Sequence, residues 1–215
     1  MKRKTATGLI LGMTGASTIL ALVAYQSLPE TMVTHWGLYG NPDGYMNKFW
    51  GVAMFPLINL AMLLLYWWVP MAEPKKENLK LFRGEYDKLM LWIFGFLNYV
   101  FVLSLLFNLG FDLNIGKLIM PAMGLMFVGI GDILPKLKQN FMVGIKTPWT
   151  LSSETVWKKT HLWGGRLFVG AGVMTIFSVL LPVNWGFLVP IGSILLASFM
   201  MMIYSFGIYR FEEKK

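Results

Sequence analysis

An all-α, polytopic membrane fold, with six transmembrane helices and both termini cytoplasmic, is what this sequence predicts. Three observations lead there: six apolar runs of roughly membrane-crossing length, a one-sided distribution of basic residues between them, and no polar–apolar alternation along them. A hydrocarbon core about 30 Å thick takes roughly 20 helical residues at 1.5 Å each. Within lipid every backbone polar group needs an internal partner, so only helices or closed barrels cross. Continuous apolar runs exclude the barrel, whose strands alternate. A hydrophobic content of 56% and a mean hydropathy of +0.57 agree with a membrane class.

The runs cover residues 8–28, 49–69, 89–109, 118–134, 167–183 and 186–209. The first follows Lys2, Arg3 and Lys4, which resembles the start of a signal peptide, but the run is long for one and no A-x-A site follows. It is therefore predicted to be retained as a span. The fourth and fifth runs are the shortest and carry Pro121 and Pro182 near an end.

Orientation follows from charge. Before the first run lie Lys2, Arg3 and Lys4; between the second and third, Lys75, Lys76, Lys80, Arg83 and Lys88. Between the fourth and fifth lie Lys136, Lys138, Lys146, Lys158, Lys159 and Arg166; after the sixth, Arg210, Lys214 and Lys215. These are seventeen of the nineteen Lys and Arg; the other side has only Lys48 and Lys117. Basic loops stay cytoplasmic, so an even number of spans places both termini inside. Six spans and two loops use up the 215 residues, which predicts one integral membrane domain, 1–215. The net charge of +8 follows the inside loops and needs no nucleic acid, only anionic lipid headgroups. With no cysteine there are no disulfides and no thiol ligands or nucleophiles. No internal repeat of the kind common in transporters stands out.

Two loops carry most of the information. The first, outside, spans residues 29–48 and contains Asn41-Pro42-Asp43-Gly44, a turn signal, with Trp36, Tyr39 and Tyr45. It is predicted to be a compact structured loop at the membrane surface. The fourth, inside, spans 135–166. There Thr147-Pro148-Trp149-Thr150 is expected to be extended or a turn, because a residue before proline avoids the α region. A short helix is expected next, with Ser152 as N-cap and Glu154 in its first turn. Val156, Trp157, Thr160 and Trp163 would share one face, with Trp157 and Trp163 as interface anchors. The second loop, 73–88, mixes charges and is expected to be a solvated connection, with some helical extension of the third span.

Two stretches resemble a known family. PETMVTHWGLYGNPDGYMNK, in the first loop, is similar to the opening loop of the Sdp immunity (SdpI) family of multi-pass membrane proteins. The stretch Gly144-Ile145-Lys146-Thr147-Pro148-Trp149-Thr150-Leu151, then Val156-Trp157, then Lys159-Thr160-His161, resembles that family's main signature. Asp132 follows Gly131 where the family often has Asn. The resemblance implies immunity against a secreted peptide toxin and transmission of its signal by recruiting a cytoplasmic transcriptional repressor. On that reading the protein sits in the cell membrane among its lipids. The outside residues His35, Trp36, Asp43, Tyr45 and Lys48 would meet the toxin. Asn140, Lys146, Thr147, Pro148, Trp149, Thr150, Glu154, Trp157, Lys159, Thr160 and His161 would form the inside signature or partner surface.

The chemistry of the side chains points away from catalysis and metals. His35 and His161 lie on opposite sides, and without cysteine a zinc site is not expected. A weak site from His35, Asp43 and Glu30 is the alternative to a hydrogen-bonding role for His35. Ser152, Ser153, Glu154 and His161 are the best catalytic set, but Glu154 and His161 are two helical turns, about 10 Å, apart. No enzyme and no cofactor are therefore expected. The notable polar residues within or at the end of the spans are Asn59, Asn98 and Asp132. Asn59 and Asn98 sit at similar depth and are expected to bond each other across helices. A polar path would instead favour the alternative, a small-solute or lipid transporter.

Overall fold

The computed structural model describes residues 3–37 and 39–212, without the side chains of Val183 and Asn184. Lys2, Lys214 and Lys215, part of the charge bias, lie outside the described residues. Among the described residues, six helices are long and apolar enough to cross a membrane. They are α1 (Arg3–Ala24), α2 (Lys48–Ala72), α4 (Arg83–Asn108), α5 (Ile115–Ile133), α7 (Glu154–Phe177) and α8 (Val183–Glu212). Two short helices, α3 (Lys76–Leu81) and α6 (Pro148–Ser152), lie between them. A two-stranded antiparallel hairpin, β1 (Thr31–Trp36) and β2 (Pro42–Asn47), occupies the first loop.

Polar residues set the helix starts. Asn47 accepts the Trp50 N–H at 3.0 Å to begin α2, and Asn114 accepts that of Lys117 at 3.0 Å to begin α5. Ser153 accepts the Val156 N–H and opens α7, and Ser152 instead donates to the Pro148 carbonyl at 2.7 Å. The cap is thus one residue later than expected, and the helix it opens is the fifth span itself. That span starts thirteen residues before its apolar run because only one face needs to be apolar there. Val156, Trp157, Thr160, His161, Gly164 and Gly165 are buried, whereas Glu154, Lys158, Lys159 and Arg166 face outward. Thr147 is extended, as its place before proline requires, but Pro148 then starts α6. Thr147 and Thr150 cap it reciprocally, Thr150 N–H to Thr147 Oγ1 at 3.1 Å and Thr147 N–H to Thr150 Oγ1 at 2.9 Å.

The helices pack as two groups of three. α1, α2 and α4 contact one another, as do α5, α7 and α8, and α4 joins the groups through α5. The α5–α7 contact is made by glycines. A Cβ on Gly131 would lie 2.7 Å from the Gly165 carbonyl, and one on Gly124 would lie 2.6 Å from that of Gly172. Small residues let helix backbones approach this closely in lipid.

At one end of the bundle, the hairpin end, Met32 is fully buried among Ala21, Leu28, Val52, Phe101 and Leu105. The hairpin is closed by Gly37 N–H to Asn41 O at 2.9 Å, with Gly40 at φ +76°. Asn41-Pro42-Asp43-Gly44 is therefore not the turn: Pro42, Asp43 and Gly44 belong to β2. Gly44 is needed for close approach, since a Cβ there would lie 2.7 Å from the His35 Cβ. The opposite, loop end holds α3, α6, residues 137–147 and the N-terminus of α1, whose Thr7 lies 3.1 Å from the Tyr66 hydroxyl.

The expected Asn59–Asn98 bond does not form. Asn59 is fully buried and donates to Ser17 Oγ at 3.1 Å, joining α1 to α2. Asn98 donates to the Phe94 carbonyl of its own helix at 2.8 Å. In a double-mutant cycle on thermal stability, Asn59→Leu and Asn98→Leu should be additive within about 0.5 kcal/mol. Asn59→Leu and Ser17→Ala should couple by about 0.6–1.7 kcal/mol. The opposite pattern would restore the midplane pair.

Candidate functional site

At the hairpin end, β1 is held to α4 by one side chain. Asn108 accepts the Val33 N–H at 2.8 Å, donates to the Val33 carbonyl at 2.9 Å and also reaches the Ser104 carbonyl at 2.9 Å. The carboxamide thus meets a strand edge as a neighbouring peptide would, and leaves no unpaired group on that residue. Trp36 packs edge-on against Phe107, ring centroids 5.3 Å apart at 88°. His35 Nδ1 lies 2.5 Å from Asp43 Oδ1 across the hairpin, on the exposed face. Glu30 does not join them; it pairs with Lys48 at 3.2 Å, and Lys48 also lies over the Tyr25 ring. Tyr45 is exposed, its hydroxyl 3.4 Å from the Pro42 carbonyl. Beneath β1, between the two helix groups, is an apolar cavity of about 290 Å³.

At the loop end the signature residues fold around α7. Trp157 is 1% exposed, donates its indole N–H to the Leu137 carbonyl at 2.9 Å, and stacks on His161 with centroids 3.9 Å apart. It is a core post and not an interface anchor; its polar edge turns to a loop carbonyl instead of headgroups. Trp163 is the exposed one, under the Arg166 guanidinium at 4.7 Å. His161 is fully buried. Its Nε2 accepts the Ile145 N–H at 3.0 Å, and its Nδ1 donates to the Trp157 carbonyl at 2.9 Å. Those two partners specify the neutral ring protonated at Nδ1. Gly144, at φ +122°, lies against this pair; a Cβ there would come within 2.5 Å of His161 Nε2.

Asn140 organises its own turn, accepting the Met142 and Val143 N–H groups and donating to the Lys138 and Val143 carbonyls. Thr150 Oγ1 reaches the Ile145 carbonyl at 2.9 Å, and Thr147 Oγ1 lies 3.1 Å from Ser205 Oγ on α8. Trp149 is half-buried on Phe206. Thr160 is buried. Lys146, Pro148, Glu154 and Lys159 remain exposed; Lys159 lies 3.5 Å from Glu212, which also accepts from Ser153. Asp132 is exposed and pairs with Lys136 at 2.6 Å, one helical turn on. The set Ser152, Ser153, Glu154 and His161 does not converge, because His161 faces inward and the two serines serve the helix ends.

The second loop is more than a solvated connection. Glu73 is fully buried and accepts the N–H groups of Lys75 at 2.9 Å and Phe141 at 3.0 Å. Asn78 donates to the Gln139 carbonyl at 2.8 Å, Lys75 donates to the Gln139 side chain, and Gln139 donates to the Thr150 and Leu151 carbonyls. This chain of bonds ties the segment after α2 to the signature segment. Arg83 pairs with Asp87 at 3.0 Å, its guanidinium beside the stacked rings of Tyr66 and Tyr86, and Tyr66 donates to Asp87 at 3.0 Å. Reading the sequence missed Asn108, Glu73, Asn78 and Gln139. The Arg83–Asp87 spacing of i, i+4 was the one visible signal.

Residues 136–205, which form the 137–147 loop, α6, α7 and most of α8, match the SdpI/YfhL protein family. Residues 12–60, which span most of α1, the hairpin and the first half of α2, match a domain of unknown function, DUF1648. The chain is 27% identical over 196 residues to the immunity protein SdpI of Bacillus subtilis (strain 168), covering 90% of this chain and 91% of that protein. No solved structure matches.

Proposed function

From the premise that this chain is a multi-pass membrane protein of the SdpI/YfhL type, we propose that it is an immunity protein of the cell membrane. The observation that carries this is the similarity to an immunity protein along nine-tenths of the chain. The whole chain, 1–215, acts as one membrane unit with no catalytic role. The hairpin end faces outside and meets a secreted peptide toxin through His35, Trp36, Asp43, Tyr45 and Lys48. The loop end faces the cytoplasm. The basic side chains concentrated there support that orientation.

Transmission of the signal follows from the division into two helix groups. A peptide held at the hairpin end acts at the far end only by favouring one arrangement of the groups over another. The bonds from Glu73, Lys75 and Asn78 to residues 139–141 cross between the segment after α2 and the segment before α7, so a shift of the groups strains them first. A cytoplasmic repressor would read the exposed Lys146, Pro148, Glu154 and Lys159 and the edge of Trp149. The buried members, Asn140, Thr147, Thr150, Trp157, Thr160 and His161, shape that surface from beneath. A transport path would need Asn59 and Asn98, and the side-chain NH2 group of each already donates within the bundle.

Reporter fusions test the orientation. Fusions after Asp43 and Phe111 should report outside, and fusions after Lys80 and Ser153 inside. A cytoplasmic signal at Asp43 would overturn the placement of both ends. Production of the chain in toxin-sensitive cells should raise their survival, and unchanged survival would overturn the immunity reading.

A further inference from the structure

We infer that the groove between α7 and α8 binds a phospholipid of net negative charge, with its phosphate on Arg166 and an acyl chain laid along the two helices. The groove, about 430 Å³, is walled by Arg166, Gly170 and Met174 from α7 and by Trp185, Gly192 and Leu196 from α8. Met174, Trp185 and Leu196 are exposed on the spans, so the groove opens to the bilayer. Two glycines keep it open. A Cβ on Gly170 or Gly192 would meet nothing within 4 Å, whereas one on Gly172, also in α7, would lie 2.6 Å from the Gly124 carbonyl. Gly172 serves helix packing, as small residues do in lipid. Gly170 and Gly192 leave room instead.

Charge at one end says what fills the room. Arg166 lines the groove at the loop end and is exposed. Its guanidinium lies 4.7 Å from the centre of the Trp163 ring, which packs edge-on against Tyr204 of α8 at 6.5 Å. Among the described residues no carboxylate pairs with it. A guanidinium fork matches a phosphate with two N–H bonds, and basic pockets between spans hold anionic headgroups. No Asp or Glu is among the described residues lining the groove, so the ammonium of a zwitterionic headgroup finds no partner there. The Ser193 hydroxyl in the wall already donates to the Pro190 carbonyl at 3.0 Å, which leaves Arg166 as the charged contact. Arg166 and Met174 are eight residues apart, about 12 Å along α7. One leaflet of the hydrocarbon core is roughly 15 Å deep. A chain whose phosphate rests on Arg166 therefore runs past Gly170 and Met174. A partner helix would need an acidic group at the depth of Arg166, whereas the bilayer presents a phosphate above an apolar chain at that depth everywhere. That favours the lipid.

The test is native mass spectrometry of the full chain released from nanodiscs containing equal amounts of phosphatidylglycerol and phosphatidylethanolamine. Single-lipid adducts should favour phosphatidylglycerol by about fivefold, the effect of one basic group on an anionic lipid. Arg166→Gln removes the charge and should bring that ratio close to one. Gly170→Leu fills the groove and should lower phosphatidylglycerol adducts by about fivefold, with Arg166 still in place. If Gly170→Leu lowers the melting temperature, Gly192→Leu takes its place. Lys158→Gln removes a charge from the same end of the molecule but outside the groove, and should keep the ratio of the unmodified chain. A ratio near one in the unmodified chain would overturn the site. So would an unchanged ratio in Arg166→Gln, or an equal fall in Lys158→Gln, which would mean attraction to the basic end at large. A dimer that disappears in Gly170→Leu while the lipid adducts stay the same would give the groove to a second copy of the chain and overturn the lipid.

Discussion

Trp157→Ala is expected to destabilise the protein by about 3–5 kcal/mol, the range for removing a large buried aromatic. The side chain fills the space between α7 and the signature segment, holds the Leu137 carbonyl and covers His161. Its loss empties that volume, leaves a buried carbonyl unpaired and exposes the imidazole that holds the Ile145 N–H. Trp163→Ala, on the exposed face of the same helix, is expected to cost about 0.5 kcal/mol or less. Thermal unfolding in detergent, followed by tryptophan fluorescence, compares the two. Similar shifts for both would show that Trp157 is not a core post.

The next largest effect is expected from Asn108→Leu, and it is local. Leucine has the branching of asparagine and the same number of side-chain heavy atoms but cannot bond, so the Val33 N–H and carbonyl lose both partners. Each buried unpaired group costs about 1–3 kcal/mol. Opening the hairpin relieves that cost, because water then reaches the strand. Met32 continues to anchor the base of β1, so the six-helix bundle stays intact. Hydrogen exchange over residues 31–36 should quicken about tenfold to a hundredfold, with the α5–α7 glycine contact unchanged. Unchanged exchange over 31–36 would mean that the strand is held by something other than Asn108.

Much of the fold was legible because a membrane imposes one-dimensional constraints. Run length and charge asymmetry identify six spans without reference to tertiary contacts. The fifth span shows where that ends. Glu154 to Arg166 reads as a polar loop on average hydropathy, but its polar residues share one face of a helix. The hairpin was hidden for a related reason: glycines and a proline read as a turn, whereas Gly44 is a cross-strand contact with His35 and Pro42 begins a strand. The signature segment was legible as a word and not as a shape. Trp157 and His161 look alike on paper whether they face a partner or the core. What decides is the Leu137 carbonyl and the Ile145 N–H, which lie twenty and sixteen residues away. Asn108 and Glu73 were unreadable because their partners, Val33 and Phe141, lie 75 and 68 positions off.

We propose that the two ends of the molecule have separate tasks, reception at the hairpin and presentation at the loop. Survival of toxin-sensitive cells producing the full chain or single variants at matched levels tests it most directly. Trp36→Ala and Asn108→Leu should lose protection, with survivors falling at least tenfold. Lys146→Gln and Lys159→Gln change exposed side chains and should protect as well as the unmodified chain. Full protection by both hairpin variants, or equal loss in the lysine variants, would contradict the division and leave one structural element where two tasks are proposed.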